Sequence, residues 1–372
     1  MKSYIEECKS IALNPLSKLK SYLEQGVKAI GMVAFFGPNE IVEAAGFLPF
    51  GVWGGYGIEL DLSKQYFPAF CPSVISIILE QGLNGSLNGL EAVIIPGQTD
   101  TMQCLGQNWK SGVKNIPFIS IVYPQNRKLE CGIEFLESEC VHVKEELEKI
   151  KGSKITDEEI NKTIELYNEH RAEMRKFSEL AAKHPNSINN LERNYVYKSA
   201  LYMKKEDHLK IIKKINEELE KMPEEKYSGH KIITTGLLLD DENILNSLEE
   251  NNLRIVGDYV AQESIQYNTD VPDGKNPFRR LAEQWANVEG FSLAYDPDLK
   301  RGKLISKLAK ERGAEGIVYA TVKFSDYEEY DMPICVKTVR ENGLQAVVFE
   351  TDQQDNNSEQ IKTRIQTFAE IL

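Results

Sequence analysis

Short apolar runs recur in two separate parts of the chain, each followed by a segment of helical character, with a long charged block between the two parts. In the first part the runs are Lys28–Phe36, Leu48–Trp53, Ala92–Gly97 and Pro117–Pro124. In the second they are Lys231–Leu239, Leu253–Val260, Gly316–Phe324 and Gln345–Asp352. Near-continuous apolar runs, rather than alternating ones, mark strands covered on both faces, and alternation with helices makes the sheet mainly parallel. The expected fold class is therefore α/β, with two Rossmann-like parallel-sheet domains joined by a helical connector. The expected divisions are residues 1–150 for an N-terminal α/β domain with the candidate loops, 151–228 for the connector, and 229–372 for a C-terminal α/β domain.

Local punctuation agrees with that plan. Pro38 and Asn39 open a helix over Glu40–Ala45, and Gly46 stops it. From about Glu134 to Glu225 the strand signals vanish and charge is dense. Thr156 and Glu159 have capping-box spacing ahead of a helix carrying Ile160, Ile164, Leu166 and Tyr167. This block reads as a solvated helical connector. No residue-level repeat relates the two α/β parts, so duplication is read only from the architecture.

Length and charge narrow the function. A chain of 372 residues suits two domains with substantial cores. A net charge of −13 disfavours nucleic acid, whose phosphates need clustered Lys and Arg. The longest apolar runs are strand-length, too short to span a bilayer, so no membrane association is expected. The opening residues lack an apolar core before a small-residue cleavage site, so the chain is expected in the cytoplasm. The P-loop pattern, the nucleophile-elbow pattern and the complete dinucleotide fingerprint are all missing. The five histidines are scattered among charged residues and read as surface or capping groups.

Six cysteines remain: Cys8, Cys71, Cys104, Cys131, Cys140 and Cys335. In a reducing compartment they are thiols or metal ligands. No C-x-x-C pair exists, so a metal site would have to be assembled from distant positions. Open parallel sheets bind ligands beyond the carboxyl ends of their strands. Cys104 follows the Ala92–Gly97 run, Ser325 follows Gly316–Phe324, and Cys71 begins a helix. Cysteine is more often a small buried hydrophobe, and Cys8, Cys131 and Cys140, which lack a strand end beside them, read that way.

Several stretches, taken in order and spacing, resemble the 2-hydroxyacyl-CoA dehydratases, whose relatives include benzoyl-CoA reductase subunits. They are Pro38–Gly55, Gln65–Ser73, Asp100–Lys110, Tyr123–Glu130, Tyr167–Phe177, Asp258–Pro272, the region around Ser325, and Ile361–Leu372. In that family a strand delivers Lys-Phe-Cys-Asp to an iron–sulfur cluster and Tyr-Asp-x-Pro follows. Here Lys323, Phe324, Asp326, Tyr330, Asp331 and Pro333 match, but serine stands at 325 and a cysteine comes ten residues later.

The resemblance implies the β-type subunit of a heterodimer with a homologous α-type subunit. It implies removal of water from an (R)-2-hydroxyacyl-CoA through a ketyl radical to give an (E)-2-enoyl-CoA. A 4Fe-4S cluster, an ATP-dependent iron–sulfur activator protein and an acyl-CoA substrate come with it, and a flavin in the complex is a further expectation. Cys71 and Cys104 match ligand positions, and Glu40 matches an acidic position near the cluster cavity, with helix capping as its plainer role. Trp109 and Tyr66 either line that cavity or fill core. The third ligand has two candidates. Ser325 occupies the family position; Cys335 offers the thiolate that clusters prefer, and Pro333 would place it near a helix start. The expected set is Cys71, Cys104 and Cys335. Two other readings stay open: a non-catalytic scaffold or electron-relay subunit, motivated by Ser325, and a benzoyl-CoA-reductase-like subunit.

Overall fold

The computed structural model describes residues 1–34, 36–354 and 358–372. Helices α1 (Lys2–Leu13) and α2 (Pro15–Glu24) precede the first lobe. That lobe runs β1 (Ala29–Val33), α3 (Asn39–Ala44), β2 (Leu48–Val52), α4 (Ser73–Leu83), β3 (Ala92–Gly97), α5 (Asp100–Gly112) and β4 (Phe118–Val122). Four helices follow: α6 (Glu130–Lys151), α7 (Asp157–Lys183), α8 (Asn190–Ser199) and α9 (Lys205–Leu219). The second lobe runs β5 (His230–Gly236), α10 (Glu242–Glu250), β6 (Leu253–Val260), α11 (Pro277–Asn287), α12 (Arg301–Arg312), β7 (Gly316–Val322), α13 (Asp326–Glu341), β8 (Gln345–Thr351) and α14 (Ser358–Ile371).

Every strand pair is parallel, and the two sheets have the orders β2-β1-β3-β4 and β6-β5-β7-β8. Each lobe therefore repeats one topology: its first strand sits between its second and third. Strands β1, β2, β6 and β7 bury nearly every side chain, the signature of helices on both faces. Fully buried Ile30, Ile94 and Ile121 illustrate the driving force, each contributing about 1.5–3 kcal/mol. The α/β class and its two Rossmann-like sheets are as the apolar runs required.

The reversal of strand order in each sheet opens a crevice between the first and third strands. Tight packing holds β5 against β7 there. Gly236 has φ +140°, and a Cβ on it would lie 1.9 Å from the Ala320 carbonyl oxygen. Any larger residue would push these strands apart at the very place where their ends define a crevice.

The middle helices are less solvated than their charge implies. Helix α7 starts at a true capping box: Thr156 Oγ1 accepts from the Glu159 amide at 3.2 Å, and Glu159 accepts from the Thr156 amide at 2.7 Å. Its apolar stripe, Ile160, Ile164, Tyr167, Met174 and Phe177, is buried, and all but Tyr167 join a core that includes residues of both lobes. Helix α8 fastens the second lobe with Arg193, which is buried and pairs with both Asp258 and Glu263.

The histidines depart from the surface reading. His170, His184 and His208 are buried. His170 and His208 sit on the apolar stripes of α7 and α9, at helical spacing from Tyr167 and Met174 and from Ile211, Ile212 and Ile215, a signal present in the sequence. His208 Nε2 lies 3.0 Å from the Val196 carbonyl, so it carries the proton and donates, and Nδ1 accepts from His170 Nε2 at 2.9 Å. Burial, aided by the nearby Lys205 charge, pushes both imidazoles below their usual range, His208 to about 3. The folded state thus keeps neutral rings that the unfolded chain protonates below pH 6.5 or so. Stability is present above that value and is lost as pH falls toward 3. Between pH 7 and 5 the loss from His208 should be about 2 kcal/mol. Urea midpoints across that range measure it, and His208→Gln, which keeps a donor for Val196, should flatten the slope.

Candidate functional site

Helix starts from both lobes line one narrow cleft. Its walls are Pro72, Val74 and Ile75 at the start of α4, Thr99–Met102 at the start of α5, Leu237 after β5, Leu293, and Val322 with Phe324–Tyr327 around the start of α13. The cleft has room for about 50 Å³ of water. This is where doubly wound sheets place ligands.

Cys71 immediately precedes Pro72 in this wall and is half-buried. Burial pushes its thiol up to about 11, and the nearby Cys104 adds to the rise. Cys71 Sγ donates weakly to the Pro72 carbonyl at 3.7 Å, and a side-chain bond with Ser76 partly offsets the rise. Cys104 is exposed in the second turn of α5. It stands three and four residues beyond Thr101 and Asp100, both cleft residues, and so shares their helix face. Thr99 caps that helix, its Oγ1 accepting from the Met102 amide at 3.1 Å.

Ser325 is the N-cap of α13, yet its hydroxyl makes no capping bond. Serine at an N-cap normally spends its oxygen on the helix. The preceding Phe324 has φ +66°, a left-handed conformation that a bulky residue adopts only under constraint. Strain at Phe324 and an unspent hydroxyl at Ser325 coincide on the cleft wall. Opposite, Asp100 offers its backbone to Tyr327, so the starts of α5 and α13 are in contact.

Cys335 is elsewhere. The expectation of a helix start beside Pro333 is corrected: α13 begins at Asp326 and carries Pro333 inside it. Cys335 is nine residues past that start, 2% exposed, and packed among Ile305, Tyr319 and Val336 in the second lobe's core. Burial pushes its thiol up to about 12. The acidic first turn, Asp326, Glu328 and Glu329, is the signal that locates the true start, because carboxylates favour the positive end of a helix. The rest of the motif has a structural role. Asp331 accepts from Arg301 Nη1 at 2.6 Å, and Arg301 also donates to Tyr319 and Thr235, tying α13 to the sheet behind Ser325.

The remaining candidates resolve simply. Glu40 is buried and pairs with Arg171, beside a small cavity shared with Tyr123 and Trp285. It stands in the first turn of α3, where a carboxylate favours the helix dipole, makes no side-chain capping bond, and does not line the cleft. Trp109 is fully buried and donates to the Ile116 carbonyl at 3.0 Å, so it fills core. Tyr66 packs on the same core, and its carbonyl holds Asn108. Cys8 and Cys140 are buried in α1 and α6, and Cys131 is exposed on α6. Among the described residues no three His, Cys, Asp or Glu side chains converge as a metal-binding group. Ser325 lines the cleft, Cys71 directly precedes the lining residue Pro72, and Cys104 follows the lining residues Asp100–Met102; two thiols and a hydroxyl are the donor types that suit a thiophilic iron centre with one hard oxygen ligand.

Two α/β lobes of one topology, with helix starts of both lining a common cleft, define a class of two-lobed cleft proteins. The chain belongs to the family described as 2-hydroxyglutaryl-CoA dehydratase, D-component, whose profile matches residues 34–372. It is 46% identical over 99% of its length to the (R)-phenyllactyl-CoA dehydratase beta subunit of Clostridium sporogenes, covering 98% of that protein. It is 37% identical to the lactoyl-CoA dehydratase subunit beta of Anaerotignum propionicum, over 100% of this chain and 99% of that one. It is 34% identical to the beta subunit of (R)-2-hydroxyglutaryl-CoA dehydratase from Acidaminococcus fermentans, over 99% of this chain and 98% of that one. No described helix is long and apolar enough to cross a membrane.

Proposed function

We propose that this chain is the β-type subunit of an iron–sulfur (R)-2-hydroxyacyl-CoA dehydratase, acting in the cytoplasm. Water leaves the substrate through a ketyl radical of the thioester, giving an (E)-2-enoyl-CoA. The electron comes from an ATP-dependent iron–sulfur activator and is returned after the elimination. The observation that carries the reading is the uncapped Ser325 hydroxyl, held on the cleft wall by the strained Phe324 across from the Cys71 loop and the Cys104 turn.

Cys71 and Cys104 would hold the cluster by thiolate, with Ser325 as the oxygen ligand in place of the deeply buried Cys335. When bound, the 4Fe-4S cluster supplies one-electron chemistry at low potential. The protein's own part is to orient and to exclude water. Leu237, Leu293, Val74 and Phe324 keep the cleft narrow and apolar, which strengthens every electrostatic interaction within it. A homologous α-type partner is supported by apolar side chains left exposed in sequence next to the cleft, Phe70, Phe324, Tyr330 and Ile334. The names of the relatives agree with such a partner.

A second reading, an electron-relay subunit that does not itself bind substrate, is favoured by the serine at 325 and by the small room in the cleft. One experiment separates them. The chain is co-expressed with its partner, purified without oxygen, assayed for iron and acid-labile sulfide, and supplied with activator and a panel of (R)-phenyllactyl-, (R)-lactoyl- and (R)-2-hydroxyglutaryl-CoA. Enoyl-CoA product with iron assigned to this subunit is the expected result. A complex whose only iron lies in the partner would sink the proposal for Cys71 and Cys104.

A further inference from the structure

Gln353 follows β8 and is 6% exposed. Its carboxamide is used at both ends, and both partners belong to the other lobe. Oε1 accepts from the Gly55 amide at 3.1 Å, and Nε2 donates to the Trp53 carbonyl at 3.2 Å. Its backbone amide donates to Ser73 Oγ at 3.1 Å. The neighbouring Gln354 adds a bond from Nε2 to the Ile58 carbonyl at 2.6 Å. The fit is close: Gly54 has φ +75°, and a Cβ there would lie 2.2 Å from Gln353 Oε1.

The two ends of this contact lead to the two walls of the cleft. Ser73 is the first residue of α4, two beyond Cys71. On the other side, the Gln353 loop is bonded to the strand end that carries Ser325. The Lys323 amide donates to the Thr351 carbonyl at 3.0 Å, and Lys323 Nζ lies 3.8 Å from Asp352. One residue, through its carboxamide to the Trp53–Gly55 turn and its backbone amide to Ser73, therefore closes the path from the Cys71 loop to the Ser325 loop. Only an amide satisfies a buried N–H and a buried carbonyl together; a carboxylate would face the Trp53 carbonyl with a second acceptor.

We infer that Gln353 is a positioning residue: it clasps the Trp53–Gly55 turn and Ser73, and so sets where the Cys71 thiol stands relative to Ser325 across the cleft. Its consequence for a cluster rests on the dehydratase reading, but the placement of Cys71 is testable without it.

The test compares the parent complex with Gln353→Ala and with the milder Ser73→Ala, which removes one bond of the clasp. Iodoacetamide labelling of each cysteine in metal-free protein is followed by mass spectrometry, with exposed Cys131 and buried Cys8 and Cys140 as internal references. Gln353→Ala should label Cys71 about tenfold faster relative to Cys131, the shift expected when one or two net hydrogen bonds no longer hold the loop closed. Ser73→Ala should move the same ratio by about threefold. In iron-loaded complex the paramagnetic resonance lines and reduction potential should shift. An unchanged Cys71 ratio in both variants, or equal acceleration at Cys8 and Cys140 that marks general loosening, overturns the inference. If Gln353→Ala does not fold, the Ser73→Ala ratio decides. A parent complex without iron in this subunit would sink the cluster reading and leave the Cys71 ratio to judge the clasp.

Discussion

In the complex of this chain with its partner, Cys71→Ala and Cys104→Ala should each release iron from this subunit and lower turnover by at least about 100-fold, beyond what the loss of an outer-shell contact costs. Cys335→Ala should keep full iron and lose only stability, about 1–2 kcal/mol for a small cavity in the second lobe's core. The difference follows from placement. Cys71 and Cys104 are half-buried and exposed beside one cleft, whereas Cys335 is sealed among Ile305, Tyr319 and Val336. Ser325→Ala should lower iron content without changing the fold, because its hydroxyl caps nothing. Ser325→Cys should bind the cluster more firmly at a shifted potential, since thiolate is the softer ligand. Iron, acid-labile sulfide and visible absorbance of the purified variants check all four. Loss of iron from Cys335→Ala alone would reverse the assignment.

Removing Arg193 should have the largest effect on stability. Its guanidinium is buried and bonds Glu263 and Asp258, and Glu263 is further held by Asn194 Nδ2 at 2.8 Å. Arg193→Met keeps the bulk but leaves two buried carboxylates facing each other without a cation. Breaking a buried pair in this one-sided way costs about 3–5 kcal/mol. The unfolding midpoint should fall accordingly, and the second lobe should exchange its amide protons sooner because α8 ties it to the connector. Replacing all three residues with apolar ones of similar volume should recover much of the loss, because no charge then remains buried without a partner. A midpoint unchanged in Arg193→Met would mean that the two carboxyls take up a proton at little cost.

The strands were legible because a doubly covered parallel strand must be apolar at nearly every position. Ala92–Gly97 and Leu253–Val260 run over the same residues in the sequence pattern and in the fold. The start of α13 was not, because Pro333 has two readings. Proline suits a first turn, but it also survives inside a helix at the loss of one hydrogen bond, and here it does the latter. The buried histidines were missed for a related reason. Their neighbours in sequence are charged, while their neighbours at helical spacing are apolar, and spacing decides burial.

By itself the sequence determined the two parallel sheets, the helices between them, the family resemblance and the strand ends where chemistry could sit, since each is written in local pattern. Only the tertiary structure decided which thiols lie beside the cleft and which are sealed in the core. The starts of α4, α5 and α13, which lie far apart in the chain and adjoin Cys71, Cys104 and Ser325, border one cleft, while Cys335, nearer to Ser325 in sequence, is turned by nine residues of helix into the core. Which side of a helix a residue presents, and to what, is fixed by packing across the whole molecule.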